Sequence, residues 1–331
     1  MKVAVRSSAG KRERGAALLA VLWLSAILTA IAFSVANTVR GETERTGTLS
    51  EGVRAYYIAT GALERALAYI EWGSGHRNPD NTPRYFESGM ARLQFNFPAG
   101  MATVEIIPES SKFNINSITP QELMSLLVYL GADPGRAQET AMAIVDWRQP
   151  PPPEGLSPFD QQYMAASPSF RARHASIEEN EELLLVKGMT PELYHGNYTR
   201  DAAGRLLPRA GLKDSVSVYG SAGPFDINSV QPAVLAALGI NPQGIAAIQQ
   251  RRHAIPFRTN ADIAPFAALV GPAFSRLSLG GNTIFTLRST ARLRVGEGRY
   301  SDMTRTVSAV YKFHKSGYTP SIEVLRWYDS N

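Results

Sequence analysis

The sequence predicts an α+β protein in which a long N-terminal helix packs on an antiparallel sheet and a large all-α insertion interrupts that sheet. Three observations carry this reading. An uncharged run over 16–36 passes directly into an amphipathic helical stripe; strand-like segments fall at 90–107 and again only after 283; and the stretch between them uses one helical motif twice.

The run over 16–36, AALLAVLWLSAILTAIAFSVA, is long enough to span a bilayer core of about 30 Å as a helix. Lys2, Arg6, Lys11, Arg12 and Arg14 precede it against one acid, Glu13, a local charge of +4 that leaves +1 of the formal +5 for the remaining chain. The positive-inside rule then places the N-terminus in the cytoplasm and the bulk of the chain across the membrane, as a single-pass protein. A cleaved secretory signal has a shorter apolar core and a small-x-small site, which 34–36 matches only in part; a plain signal anchor is the competing reading. Beyond the span, Leu49, Val53, Tyr56, Thr60, Leu63, Leu67 and Ile70 recur at helical spacing. The helix is therefore expected to continue over 37–72. Gly41, Gly47, Gly52 and Gly61 each cost up to about 1 kcal/mol there, and a bend or frayed stretch is expected near Gly41 and Gly47.

Strands are expected at 90–97 and 101–107 around Pro98, Ala99 and Gly100, and at 283–295, 304–313 and 321–328, with Gly296, Glu297 and Gly298 making one turn. Between them, Phe113-Asn114-Ile115-Asn116-Ser117-Ile118-Thr119-Pro120 recurs as Phe225-Asp226-Ile227-Asn228-Ser229-Val230-Gln231-Pro232. Each copy opens a helix with a capping residue and an early proline, runs to Gly131 or Gly239, and continues into a second helix ending near Arg148 or Arg252. The domain limits read from these signals are 1–15 as a leader, 16–36 as the span, 37–72 as its amphipathic continuation, 73–109 and 214–331 as the sheet domain carrying a second helical hairpin at 225–270, and 110–213 as the insertion.

Composition narrows the function. With no cysteine, disulfides, thiolate metal sites and cysteine nucleophiles are excluded together. A nearly neutral body lacks the basic face that phosphate neutralisation requires, so no nucleic acid is expected as a partner. The histidines at 76, 174, 195, 253 and 314 show no ligand spacing, and neither a phosphate-cradling loop nor a Gly-x-Ser-x-Gly elbow occurs. His174 and His195 flank Glu178, Glu179, Glu181 and Glu182, which read as the exposed face of a helix. No enzyme, and no required cofactor, is expected.

Three resemblances sharpen the picture. Arg14-Gly15-Ala16-Ala17-Leu18-Leu19 resembles a type IV prepilin leader. The resemblance implies that a prepilin peptidase cuts between Gly15 and Ala16, that Ala16 becomes the N-methylated first residue, and that the fold is pilin-like. Most such proteins carry Glu at the fifth mature position, where this chain has Ala20. An apolar residue there, followed in order by Asp146-Trp147, Tyr163, Glu182-Leu183 and the run Val186-Lys187-Gly188-Met189-Thr190-Pro191-Glu192-Leu193-Tyr194, resembles the minor pseudopilin K family of type II secretion systems. That likeness implies a subunit held in the inner membrane and drawn into the tip of a periplasmic pseudopilus, supporting export of folded proteins, with minor pseudopilins I and J beside it and H below. It also implies calcium held by loop acids. Here Arg148 and Gln149 stand where further acids are expected, leaving Asp146, Glu154 and Asp160 as scattered candidates, with solvated loop acids or a helix cap as the other reading. The repeated hairpins resemble SAM-like or helix-hairpin-helix modules, so the alternative function is a membrane-anchored protein that binds or takes up DNA. The turns at Gly131 and Gly239 lack the Gly-x-Gly arrangement that presents amides to phosphate.

Overall fold

A stretch without proline from residue 9 to 73 forms one helix, α1 (Ala9–Gly73), in the computed structural model, which describes residues 9–73, 75–153, 155–201, 203–314 and 321–330. At 1.5 Å per residue it is about 100 Å long. The bend expected near Gly41 and Gly47 does not interrupt it. A glycine weakens a helix without removing a ladder hydrogen bond, and nothing lies within 4 Å of where a Cβ would stand at either residue.

The chain then forms β1 (Arg92–Phe97), β2 (Gly100–Pro108), β3 (Phe113–Asn114), α2 (Pro120–Tyr129), α3 (Pro134–Arg148) and α4 (Pro158–Met164). Next come α5 (Pro191–His195), β4 (Gly196–Arg200), β5 (Leu206–Ala210), β6 (Val216–Ser217), β7 (Phe225–Asp226), α6 (Pro232–Ala237) and α7 (Pro242–Ala254). After short helical turns the chain closes with β8 (Leu277–Ser278), β9 (Ile284–Gly296), β10 (Arg299–Phe313) and β11 (Ile322–Ser330).

Five strands make one antiparallel sheet in the order β1-β2-β9-β10-β11. Strand alternation decides its two faces. Ala102, Val104 and Ile106 of β2, Phe285, Leu287, Ala291 and Leu293 of β9, and Val307, Ala309 and Tyr311 of β10 point at α1 and are buried. The helix answers with Ala55, Ile58, Ala59, Ala62, Leu63 and Ala66, a stripe small enough for the backbone to approach the sheet closely. The opposite face carries Thr103, Thr290, Thr306 and Arg288, with the Thr290 and Thr306 hydroxyls hydrogen-bonded at 3.0 Å. The expected α+β architecture of helix on antiparallel sheet is the observed one.

The helical body is inserted between the paired central strands β2 and β9, so its entry and exit lie together at one end of the sheet. The crossing is stiffened by buried polar groups. Lys112 Nζ meets Glu109 at 3.0 Å, the Thr286 hydroxyl donates to Glu109 at 2.7 Å, and Asn282 Nδ2 donates to buried Asp226 at 2.8 Å.

The sequence repeat is a structural one. β3 pairs in parallel with β6, and β7 with β8. Phe113 and Phe225, the same position in each copy, meet edge to face with centroids 5.0 Å apart, and α2 packs against α6. Asn116 uses its side-chain amide to pair with both backbone groups of Ile177, at 2.8 and 2.9 Å; Asn228 does the same to Phe257 at the same distances. Gly131 and Gly239 follow the first helix of each copy with φ of +97° and +87°, the left-handed region that ends a helix there.

Three expectations are corrected. The second hairpin does not belong with the sheet domain: Val234, Leu235, Ile245 and Ile248 lie in the same core as Leu123, Leu126, Leu127 and Ile144, so the body runs from about residue 111 to 279 rather than ending at 213. The body is not all-α, since β4 and β5 form an exposed hairpin and the two parallel pairs sit within it. The helix cap is built only in the first copy. Thr119 and Glu122 form a reciprocal capping box, whereas Gln231 offers no side-chain cap and its backbone N–H instead reaches Ser111 O at 3.3 Å.

Candidate assembly surface

Gly15 and Ala16 both lie within α1, and from Ala16 through residue 51 every side chain is exposed. About 54 Å of helix thus projects from the sheet with none of the described residues of other elements against it. Ala20 stands one turn after Ala16 on this exposed rod. The helix is long and apolar enough to cross a membrane. Three hydroxyls along it bond back to the helix itself: Ser25 donates to Leu22 O at 2.9 Å, Thr29 to Ser25 O at 2.7 Å and Thr38 to Ser34 O at 3.0 Å.

The two flanks of α1 differ where it meets the sheet. Toward β1 the flank carries charge: Arg65 lies 5.3 Å from the Phe95 ring centroid, and Arg54 precedes it by eleven residues, three turns, on the same side. Toward β11 the flank is marked by Tyr56, whose ring lies 6.0 Å from the Arg305 guanidinium, and by Glu71, which accepts the Ser321 hydroxyl at 3.0 Å. Leu49 and Val53 stand seven and three residues before Tyr56, so they continue this flank toward the membrane. They are 63% and 56% exposed. Register places Trp327 opposite Ala309 and Val324 opposite Tyr311, on the α1 face of β11; they are 40% and 55% exposed. Leu49, Val53, Trp327 and Val324 are therefore exposed apolar side chains on this one side of the helix, not covered by any of the described residues.

The residues singled out around Asp146 come together in a different way from that expected. Asp146 accepts the Ser157 hydroxyl at 2.9 Å. Asp160, 1% exposed, accepts Ser157 N at 3.1 Å, Ala172 N at 3.2 Å and His174 Nε2 at 2.8 Å. Burial opposes its charge, but these donors, His174 foremost, hold its carboxyl below the usual range. Glu154 lies outside the described residues. A calcium ion needs six to eight oxygens. Both Asp160 oxygens already accept N–H groups, and among the described residues no three His, Asp or Glu side chains are grouped to hold a metal. The residues present do not fit a calcium site. His174 was not singled out as a partner of these acids; its contacts lie 14, 25 and 28 residues away in the chain, with no spacing to read.

The acidic run is not one face of an α-helix. Glu182 lies in a short 3₁₀ turn, and one of its oxygens accepts Glu178 N at 2.9 Å and Glu179 N at 3.1 Å. Its other oxygen takes the Trp147 indole N–H at 3.3 Å. Burial opposes its charge, and these backbone donors outweigh the opposition, holding its carboxyl low. The shared motif residues Trp147, Tyr163, Leu183 and Val186 are all buried in one core. Trp147 meets Tyr163 edge to face at 5.6 Å, and the Tyr163 hydroxyl accepts Lys187 N at 3.0 Å. Gly188 has φ of +84°, and a Cβ there would fall 2.2 Å from the Thr140 hydroxyl, so this position of the motif takes glycine for two separate reasons. The motif builds a core and presents no reactive pair.

Residues 111–196 match the family model for type II secretion system protein K. The type II secretion system protein K of Klebsiella pneumoniae is 28% identical over 69% of this chain and 70% of its own length. That of Pseudomonas aeruginosa is 23% identical over 82% of each. Among solved structures, the GspK–GspI–GspJ complex from the type 2 secretion system of enterotoxigenic Escherichia coli contains a chain that superposes with a TM-score of 0.59 at 20% identity, over 87% of this chain and 99% of that one. The matched model covers the first hairpin and the Asp-Trp core, the relatives extend the likeness over most of the chain, and the superposed fold shares the helix-on-sheet plan: the chain is similar to type II secretion system protein K over most of its length.

Proposed function

We propose that this chain is the minor pseudopilin that caps the pseudopilus of a type II secretion system, initiating its assembly and supporting export of folded proteins across the outer membrane. The role is structural rather than catalytic. The observation that carries it is α1: an exposed helix that leaves a bilayer and arrives at the sheet with one apolar flank still uncovered. The subunit sits in the inner membrane with its N-terminus cytoplasmic and its sheet and helical body periplasmic. A prepilin peptidase removes residues 1–15, and Ala16 is N-methylated. Its α1 packs beside minor pseudopilins I and J, with H beneath. Ala20 supports the terminal position. A buried carboxylate needs a cationic partner, and the subunit at the end of a filament has no neighbour above to supply an amine. The helical body, seated where β2 ends and β9 begins, adds bulk at the end of the sheet away from the membrane.

Intact mass and N-terminal sequencing of the membrane-extracted protein test this. In cells with the peptidase, the chain begins at N-methylated Ala16; without it, residues 1–15 remain. A chain that keeps its leader in both, or is cut beyond residue 36, removes the pilin-like processing and returns the reading to a plain anchor or a secreted domain.

A further inference from the structure

His174 stands where the resemblance leads one to look for a metal. Three oxygens converge on its ring: Asp160 Oδ2 at 2.8 Å from Nε2, and the carbonyl oxygens of Asp146 and Gln149 at 3.2 and 3.1 Å from Nδ1. A carboxylate and two carbonyls are the oxygens that a hard cation collects. All three are acceptors. A neutral imidazole carries one N–H and can serve only one side of this arrangement, whereas an imidazolium donates from both nitrogens. The side chain is 10% exposed, so water does not replace these partners. His174 also adopts φ of +51°, in the left-handed region that residues with a Cβ enter uncommonly, histidine more readily than most.

The neighbouring residues have turned to other work. Arg148 directs its guanidinium to the Ile115 and Ile118 carbonyls, away from the carboxylates. Gln149 contributes only its backbone oxygen, and four prolines, Pro150 to Pro153, follow it and stiffen the loop. The result ties three segments together: the end of α3, the capped start of α4 and the irregular stretch around Ala172.

We propose that in this chain the side chain of His174 takes the place of a calcium ion, so that the loop between α3 and α4 is locked by a protein-borne cation and folds without metal. This inference stands on the body alone and is independent of how the subunit assembles.

The test is thermal unfolding of the full chain in detergent, with calcium chloride or with EGTA, for the unaltered protein, His174→Ala and Asp160→Asn. The unaltered protein has the same midpoint in both conditions. His174→Ala lowers the midpoint by a few degrees in EGTA. A calcium-dependent rise in the unaltered protein that disappears in Asp160→Asn overturns the proposal, because the carboxylate then serves a metal. A rise that survives Asp160→Asn places calcium elsewhere on the chain and leaves the lock standing. A His174→Ala midpoint equal to that of the unaltered protein also overturns it, since the ring then locks nothing.

Discussion

Val53→Glu abolishes stable association with the partner pseudopilins while leaving the unfolding of the isolated chain unchanged. Val53 is 56% exposed, so in the free subunit a glutamate there is hydrated and falls among surface changes worth within about 0.5 kcal/mol. Once a second helix lies against the flank, the same carboxylate is buried without a cation, at a cost of about 2–5 kcal/mol. At 1.4 kcal/mol per tenfold, that lowers affinity by roughly 30- to 3,000-fold. Trp327→Ala weakens association in the same direction through lost apolar contact, and Arg54→Glu, on the β1 flank, leaves it intact. Co-purification of the tagged chain with minor pseudopilins I and J from detergent-solubilised membranes, alongside melting curves of each variant, checks both halves. Equal recovery of partners by the Val53→Glu and Arg54→Glu proteins would show that the flank is not the assembly surface.

The stripe that contains Val53 was legible in the sequence; its division was not. Leu49, Val53, Tyr56, Leu63 and Ile70 share one period, yet Leu63 is fully buried against β9 and β10 while Leu49 is 63% exposed. Periodicity reports that a face is apolar and is silent on whether the chain's own sheet or another molecule covers it. The strands were legible for a related reason: alternation in β2 and β9 survives because one face is buried against α1 and the other is only partly covered. What stayed hidden depends on contacts between distant residues. The shared core of the two hairpins follows from Phe113 meeting Phe225 across 112 positions, and the lock at Asp160 follows from a histidine in an irregular segment. Neither leaves a local pattern. The Asp-Trp motif shows the converse. It was readable as a family signature, but its chemistry, a buried indole tied to Glu182, became clear only from the packing.

The repeat itself yields the largest effect on stability. In both copies an arginine at the end of the second helix reaches back to the turn that opens the first. Arg148 donates to Ile115 O and Ile118 O, and Arg252 donates to Val230 O at 2.8 Å. Burial lowers the pKa of both guanidinium groups, and because a guanidinium keeps its charge in proteins, each is a charged donor aimed at neutral carbonyls. Arg148→Met preserves much of the apolar stem and removes the donors, leaving two carbonyls without a partner. Each costs about 1–3 kcal/mol, which makes a loss of about 2–6 kcal/mol at this position against about 1–3 kcal/mol for Arg252→Met. The unfolding midpoint should fall by about 2–4 °C for each kcal/mol in a unit of this size. Arg148→Lys recovers only part of the loss, because one ammonium cannot reproduce a planar fork directed at two oxygens. Trp147, adjacent to Arg148 and buried, reports the transition by its fluorescence. An Arg148→Met midpoint no lower than that of Arg252→Met would mean that the two carbonyls find other donors, and that the arginine is retained for its stem rather than for its hydrogen bonds.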